Sequence, residues 1–365
     1  MQNSPVVVAV PAKDEAERLP ACLDALTRQR GAHGHTVLIL VNNSSDDSAN
    51  LVRRFAAASP VPVRVEDVTL HEGEATAGGA RRVAMHKAAA LAGDGGIILT
   101  TDADGCVAPD WLSANLRSIA AGADAVAGRA VIDPAEEALI PQALRDADAR
   151  ECGYAALLDE LAARIDPDPA DPWPRHDEHS GASIAVTVDA FSRAGGIPAM
   201  PTGEDRAFFR QLQRIDARVR HAPEVQVVVS GRIEGRAAGG MADTIRRRLV
   251  CPDVFLDDRL EPALDAALRC RLRRRARLLW ADAARTQAAA DALANALRLP
   301  RLLVRTSLAG GPFGAAWNDL ESESPRLRRR RRVAAAAVLH ETWIARNLLA
   351  ALAEAPAGAA LEISA

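Results

Sequence analysis

Apolar and polar positions along this chain come in blocks whose lengths suit strands and helices in turn. Val6-Val7-Val8-Ala9-Val10 is a short apolar run rich in β-branched residues, the pattern of a strand buried on both faces of a parallel sheet. Glu15 to Arg28 then carries Leu19, Cys22, Leu23 and Leu26 at helical spacing. Val37 to Val41 reads as a second buried strand and Asp46 to Ala58 as a second helix, with Ser45 or Asp46 as its N-cap. Val61 to Val65 predicts a third strand, Gly79 to Leu91 a helix, and Ile97 to Thr101 a fourth strand. Strand and helix alternating at this spacing imply βαβ units and a doubly wound α/β sheet.

The second half is less regular. Trp111 opens a helix, Ala125 to Ile132 reads as a strand, and Pro141 to Ala163 as a helix. Ile165 to Pro174 holds too many prolines for regular structure and predicts a loop, either a lid over the polar rim of the sheet or a solvated linker. Order resumes at Ser180 to Val186, followed by helices near Asp189 to Ala194 and Arg206 to Arg214 and a strand from Val225 to Val229. Beyond Arg246, Ala, Leu and Arg dominate, and apolar residues recur at helical spacing through Leu349. The expected division is one α/β domain over 1–245, split into halves 1–110 and 111–245, and a helical region over 246–365.

Composition narrows the class. With 48% hydrophobic and 25% charged residues over 365 positions, the chain can bury a substantial core. A net charge of −3 gives no electrostatic case for nucleic acid. Cys22, Cys106, Cys152, Cys251 and Cys270 are scattered, with no Cys-x-x-Cys pair, so neither a disulfide framework nor a zinc cluster is implied. The start of the chain lacks the basic-then-apolar pattern of a signal peptide. No window holds the roughly 18 uncharged apolar residues of a membrane span. A cytoplasmic protein is therefore expected. Arg326-Leu327 and the run Arg328 to Arg332 form a dense positive stretch, read either as a solvated helix start or as a surface for an anionic membrane or acidic partner.

Ligands of doubly wound sheets bind beyond the C-terminal strand ends, and three polar clusters fall there. They are Ala12-Lys13-Asp14-Glu15, Asn42-Asn43-Ser44-Ser45-Asp46-Asp47 and Asp102-Ala103-Asp104. Strand side chains alternate faces, so Asp102 and Asp104 point the same way if the fourth strand continues through them. Two such carboxylates suit a hard divalent cation, which in turn can hold nucleotide phosphates. Glu204-Asp205 heads a predicted helix, where on its own it reads as ordinary first-turn charge. His176 and His179 flank Asp177-Glu178, a spacing that suits a metal, a substrate contact or a merely solvated loop, and His71-Glu72-Gly73-Glu74 reads as exposed loop.

Taken in order, these motifs resemble those of family 2 glycosyltransferases, over about residues 6–240. Val10-Pro11-Ala12-Lys13-Asp14-Glu15 resembles the family's opening strand and turn, and Val41-Asn42-Asn43-Ser44-Ser45-Asp46-Asp47 its second nucleotide loop. The resemblance thus implies nucleotide contacts from Pro11, Ala12, Asp14, Glu15, Asn42, Asn43 and Ser44. Gly78-Gly79-Ala80-Arg81-Arg82 resembles the segment that opens a helix near the nucleotide, with Arg81 as a contact. Asp102-Ala103-Asp104 is similar to the metal-binding Asp-x-Asp, with Ala103 against the nucleotide. Gly195-Gly196-Ile197 followed by Glu204-Asp205 resembles the acceptor-side segment with the catalytic base, Asp205, and Glu204 as alternate base or acceptor anchor.

The resemblance implies a GT-A-type doubly wound mixed sheet whose halves hold the nucleotide sugar (1–110) and the acceptor (111–245). It also implies Mn²⁺ or Mg²⁺, a nucleotide-diphosphate sugar donor and a hydroxyl acceptor, with inversion at the anomeric carbon. Two positions depart from the pattern. Asn42 stands where many members carry an acid, and an amide can serve uridine or guanosine. Val229-Ser230-Gly231-Arg232 stands where some members place a metal-binding His, with Arg232 and Arg236 as alternative partners of the diphosphate. A retaining transferase acting on a small phosphorylated acceptor and a non-catalytic nucleotide-binding scaffold share the fold. A nucleotidyltransferase would want a Gly-rich basic loop where Pro11 to Glu15 stands. Aromatics at 3% favour a small or lipid-linked acceptor over a polysaccharide, and the C-terminal helices could serve a homodimer.

Overall fold

The computed structural model describes residues 4–31, 34–232, 241–284, 286–328 and 330–354. The chain divides into two compact units. The first comprises the described residues of Met1–Ile140, Asp177–Leu212 and Ala217–Arg247; the second those of Pro141–His176, Gln213–Asp216 and Arg248–Ala365.

Eight strands form one mixed sheet in the first unit: β1 (Val6–Ala12), β2 (His35–Asn42), β3 (Val63–Val68), β4 (Ile97–Thr100), β5 (Cys106–Val107), β6 (Ala125–Ile132), β7 (Ile184–Thr187) and β8 (Val219–Val229). Their order is β3-β2-β1-β4-β7-β6-β8-β5. β3, β2, β1 and β4 run parallel, with Val8 in register with Val37 and Leu99. β7 is antiparallel to both β4 and β6, while β6 and β8 run parallel. The expected α/β fold with a doubly wound mixed sheet is therefore present, and helices follow it toward the C-terminus.

The two-residue period of the strands sorts their side chains between two cores. Val6, Val8, Val10, Val37, Ile39 and Val41 pack on one face with Leu19, Leu23, Val52 and Trp111. Val7, Ala9, Leu38, Leu40, Ile184 and Val186 pack on the other with Ala84, Met85, Phe191, Phe208 and Phe209. Helices cover both faces, which is why the strand sequences read as continuous apolar runs.

Several boundaries differ from the sequence expectation for local reasons. The first helix starts at Leu19, not Glu15, because the preceding amides are held elsewhere. Asp14 N–H donates to Ser44 Oγ (2.9 Å), Glu15 N–H to Ser48 Oγ (3.1 Å) and Ala16 N–H to Asp46 Oδ2 (2.9 Å). The second helix is Ser48–Ala56 with Asp47 at its N-cap, and Asp46 Oδ1 instead accepts from Ser48 N–H at 3.0 Å. β4 ends at Thr100, so Asp102 and Asp104 do not continue a strand. They sit in a turn closed by Gly105 N–H donating to the Asp102 carbonyl at 3.1 Å.

The second unit is helical. Gln142–Ile165, which lies in the linear second half of the α/β domain, packs here with the C-terminal helices. Tyr154, Leu161 and Ile165 share a core with Leu256, Ala267, Val338 and Ala345. A further core joins Leu272, Leu293, Val304, Trp317 and Leu320. The proline-rich loop folds into this unit and is not a solvated linker: Asp166 and Asp171 are buried, and Asp166 pairs with Arg273 (2.7 Å) and Arg277. Among the described residues of the basic run no helix starts; there Arg331 pairs with Asp265 (2.6 Å) and Arg332 lies over the Phe255 ring (4.7 Å). The next α-helix begins only at Val338.

Candidate active site

The polar strand ends open into a cavity of about 840 Å³ whose lining residues all belong to the first unit. Of the residues singled out in the sequence, Pro11, Ala12, Glu15, Asn42, Arg81, Asp102, Ala103, Asp104, Glu204, Asp205 and Arg232 line it. Asp14, Asn43 and Ser44 do not; they build its rim from behind. Asp14 and Asn43 both adopt left-handed backbone (φ 51° and 48°), which Asp and Asn tolerate better than most side chains. Asp14 Oδ1 accepts from Ser45 N–H at 2.6 Å, while the Asn43 amide exchanges two 3.0 Å hydrogen bonds with the backbone of Leu70. Arg236 lies outside the described residues.

Arg81 organises the acidic side of the cavity. It is buried, donates from one terminal nitrogen to Asp102 Oδ1 (2.7 Å) and from Nε to Glu204 Oε1 (2.9 Å). Its other terminal nitrogen donates to the Gly181 carbonyl (2.7 Å) and Thr100 Oγ1 (3.3 Å). Burial alone would lower its pKa, but Asp102 and Glu204 hold it above the ordinary value. The fit is close on the Gly181 side, where an added Cβ would lie 2.5 Å from the guanidinium carbon. Arg81 lines the cavity and is committed to these neighbours. Glu204, equally buried, is paired with it through Oε1.

The second carboxylate faces a different arginine. Arg232 donates to Glu15 Oε1 and approaches Asp104 Oδ2, each at 3.0 Å. Ser230 Oγ donates to Glu136 at 2.9 Å, and the Gly231 amide donates to the same carboxylate, which fixes the turn that delivers Arg232. The Asp104 pKa is pushed up to about 6, first by burial and then by Asp102, an effect that Arg232 offsets only in part. Asp102, Asp104 and Glu15 therefore bring together more negative charge than the nearby arginines neutralise. An all-oxygen donor set of that kind fits a hard divalent ion.

Asp205 lines the cavity from the first turn of helix Glu204–Arg214. Its Oδ2 accepts from Gly181 N–H at 2.9 Å and its Oδ1 from Arg206 N–H at 2.7 Å. The carboxylate is thus oriented yet half-exposed to the cavity. Sequence reasoning gave no site role to Ser180 and Gly181, which line the cavity, or to His221, which contacts it only through His179. His179 lines the cavity, and its Nε2 lies 3.0 Å from Nε2 of His221. His176 is buried within the second unit, and His71 to Glu74 do not line the cavity.

With the geometry fixed, the sequence comparison is decisive for the segment that builds the rim. Residues 7–180, running from β1 through the loop that bears His179, match the family model for glycosyl transferase family 2. The segment belongs to that family. No curated protein sequence matches the chain. Among solved structures, the chain is similar to mannosyltransferase PcManGT from Pyrobaculum calidifontis in complex with GDP-Man and Mn²⁺, at 19% identity and a TM-score of 0.46. That match covers 96% of this chain and 80% of the other. It is also similar to S. aureus TarS 1–349 in complex with UDP-GlcNAc (15% identity, TM-score 0.46, 87% and 91% covered). A third is glucosyl-3-phosphoglycerate synthase from Mycobacterium tuberculosis in complex with Mn²⁺, UDP and phosphoglyceric acid (15% identity, TM-score 0.39, 68% and 78% covered).

Proposed function

We propose that this family 2 chain transfers a sugar from a nucleotide-diphosphate donor to a hydroxyl acceptor, with inversion at the anomeric carbon. The observation that carries the reading is the convergence on one cavity of Asp102 and Asp104, the strand-end rim with Asn42, and Asp205. Residues 1–110 supply the donor side, with Asn42 facing a uracil or guanine base. Asp205 and the loop from His179 to Gly181 supply the acceptor side.

Asp102 and Asp104 would hold Mn²⁺ or Mg²⁺, which when bound supplies Lewis-acid stabilisation of the departing diphosphate. Asp102 can do this while accepting from Arg81, because a carboxylate has about four lone-pair sites. Arg232, between Glu15 and Asp104, sets a guanidinium beside the carboxylate pair, and its geometry suits the phosphates of the leaving group. Asp205 takes the proton of the acceptor hydroxyl as that oxygen bonds to the anomeric carbon and the bond to the diphosphate breaks. One base on the acceptor side and one displacement give inversion. Glu204 acts as a positioning residue, since it locks Arg81 and through it Asp102.

On this reading Asp205→Asn lowers kcat by about 10²–10⁴-fold and leaves the donor Kd unchanged. NMR of product formed with a small hydroxyl acceptor reads the anomeric configuration. Retention, or full activity of the Asn variant, would contradict the assignment. The second unit adds a candidate contact with an anionic lipid surface. There Leu264, Leu339 and Trp343 are 58%, 68% and 63% exposed, close to the basic run that ends at Arg332.

A further inference from the structure

We infer that Asp177, His179 and His221 form a second metal site, selective for a borderline-soft divalent ion such as Zn²⁺ and distinct from the carboxylate pair Asp102 and Asp104. The ligand atoms of these three residues lie within 4.8 Å of one another, and the two imidazole Nε2 atoms are 3.0 Å apart. Two ring nitrogens on one zinc at about 2.0–2.1 Å lie about 2.9–3.4 Å apart for ligand angles between a right angle and the tetrahedral one. The pair is thus already at chelating separation. Asp177 brings the third ligand atom within that span from the exposed side.

The two rings are held by packing. His221 is buried on β8, opposite Ala127 on β6. His179 stacks on Phe209, with ring centroids 4.4 Å apart and planes inclined by 12°. Phe209 also lies 6.2 Å from the His221 ring, so one aromatic side chain from helix Glu204–Arg214 backs both imidazoles. Rings fixed in this way lose little freedom when an ion binds. Asp177 and His179 are separated by one residue, which lets both reach one side of an extended segment.

Donor chemistry separates the two sites. Imidazole suits Zn²⁺, Cu²⁺, Ni²⁺ and Co²⁺, whereas carboxylate oxygens suit Mg²⁺ and Mn²⁺. Three protein ligands leave a tetrahedral ion one open position. His179 lines the same cavity as Asp205, so an ion held there would offer its open position to an oxygen of a hydroxyl, carboxylate or phosphate group of a molecule in that cavity. The ion site itself does not depend on the glycosyl-transfer reading; only the acceptor-oxygen role does.

The experiment is a titration of the full-length protein with Co²⁺, followed by visible absorption, and with Zn²⁺ in competition. It is done on an Asp102→Asn, Asp104→Asn background so that the carboxylate pair contributes nothing. The expected result is one equivalent of Co²⁺ with a tetrahedral spectrum, displaced by Zn²⁺. His179→Gln and His221→Gln should each weaken it by about tenfold or more, and Asp177→Asn less. Absence of the spectrum, or binding that survives both histidine substitutions, overturns the site. Circular dichroism checks folding; if the buried His221 variant fails to fold, His179→Gln and Asp177→Asn decide alone, because neither side chain is buried.

Discussion

Arg81 lies between Asp102 and Glu204 with only 5% of its surface exposed, so its removal would strand the buried Glu204 carboxylate and leave Asp102, 35% exposed to the cavity, without its cation. Breaking a buried ion pair from one side costs about 3–5 kcal/mol. Arg81→Met is expected to lower the unfolding free energy by that order, measured in urea. Adding Glu204→Gln should recover part of the loss, because one stranded charge is then gone. Asp102, Asp104 and Asp205 were legible as candidates from residue type and local spacing. Their partners were not: Arg81 and Glu204 are 123 residues apart, and nothing in the local pattern of either announces the other. The same holds for His179 and His221, which are 42 residues apart and meet only through the fold.

At the scale of elements, most strands and helices could be read because the central strands are covered on both faces and the longer helices bury one stripe; the two-residue β5 was not expected. What could not be read was competition for backbone groups. Ser44, Ser48 and Asp46 hold the amides of Asp14 to Ala16 and delay the first helix, and Glu136 holds the end of β8. A testable case is His35, at the start of β2. It is buried, and its Nε2 bonds to the Leu26 carbonyl at 2.9 Å, while Nδ1 has no hydrogen-bond partner among the described residues. Burial lowers its pKa, an effect the Leu26 carbonyl only partly offsets. Above about pH 6.5 His35 is neutral folded or unfolded and adds no pH dependence. Below that, the unfolded chain takes up a proton that the folded one resists, so stability falls by up to about 1.4 kcal/mol per pH unit. Urea midpoints from about pH 5 to 8 should show this slope, and His35→Gln should flatten it.

At the scale of the whole molecule, the linear order misleads most. Gln142–Ile165 and the proline-rich loop sit in the middle of the sequence but pack with the C-terminal helices, since Tyr154, Leu161 and Ile165 find their apolar partners there. Periodicity reports that a helix has an apolar stripe but not which stripe it meets. Among the described residues no helix is long and apolar enough to cross a membrane. The exposed Leu264, Leu339 and Trp343 near Arg331 and Arg332 predict instead co-sedimentation with vesicles of anionic lipid, weaker with neutral lipid and reduced several-fold by Trp343→Ala. Equal binding to both lipids, or none, would remove that surface from the account.

The central claim is that the carboxylates at the end of β4 hold a nucleotide diphosphate through a divalent ion. Calorimetric titration with UDP and with GDP, each with and without Mn²⁺, tests it on the native protein and on Asp104→Ala. The account predicts that one of the two nucleotides binds only with Mn²⁺ and that the substitution weakens this binding by about 100-fold or more. Binding that is indifferent to Mn²⁺ and to Asp104, or no binding of either nucleotide by the folded protein, would contradict it.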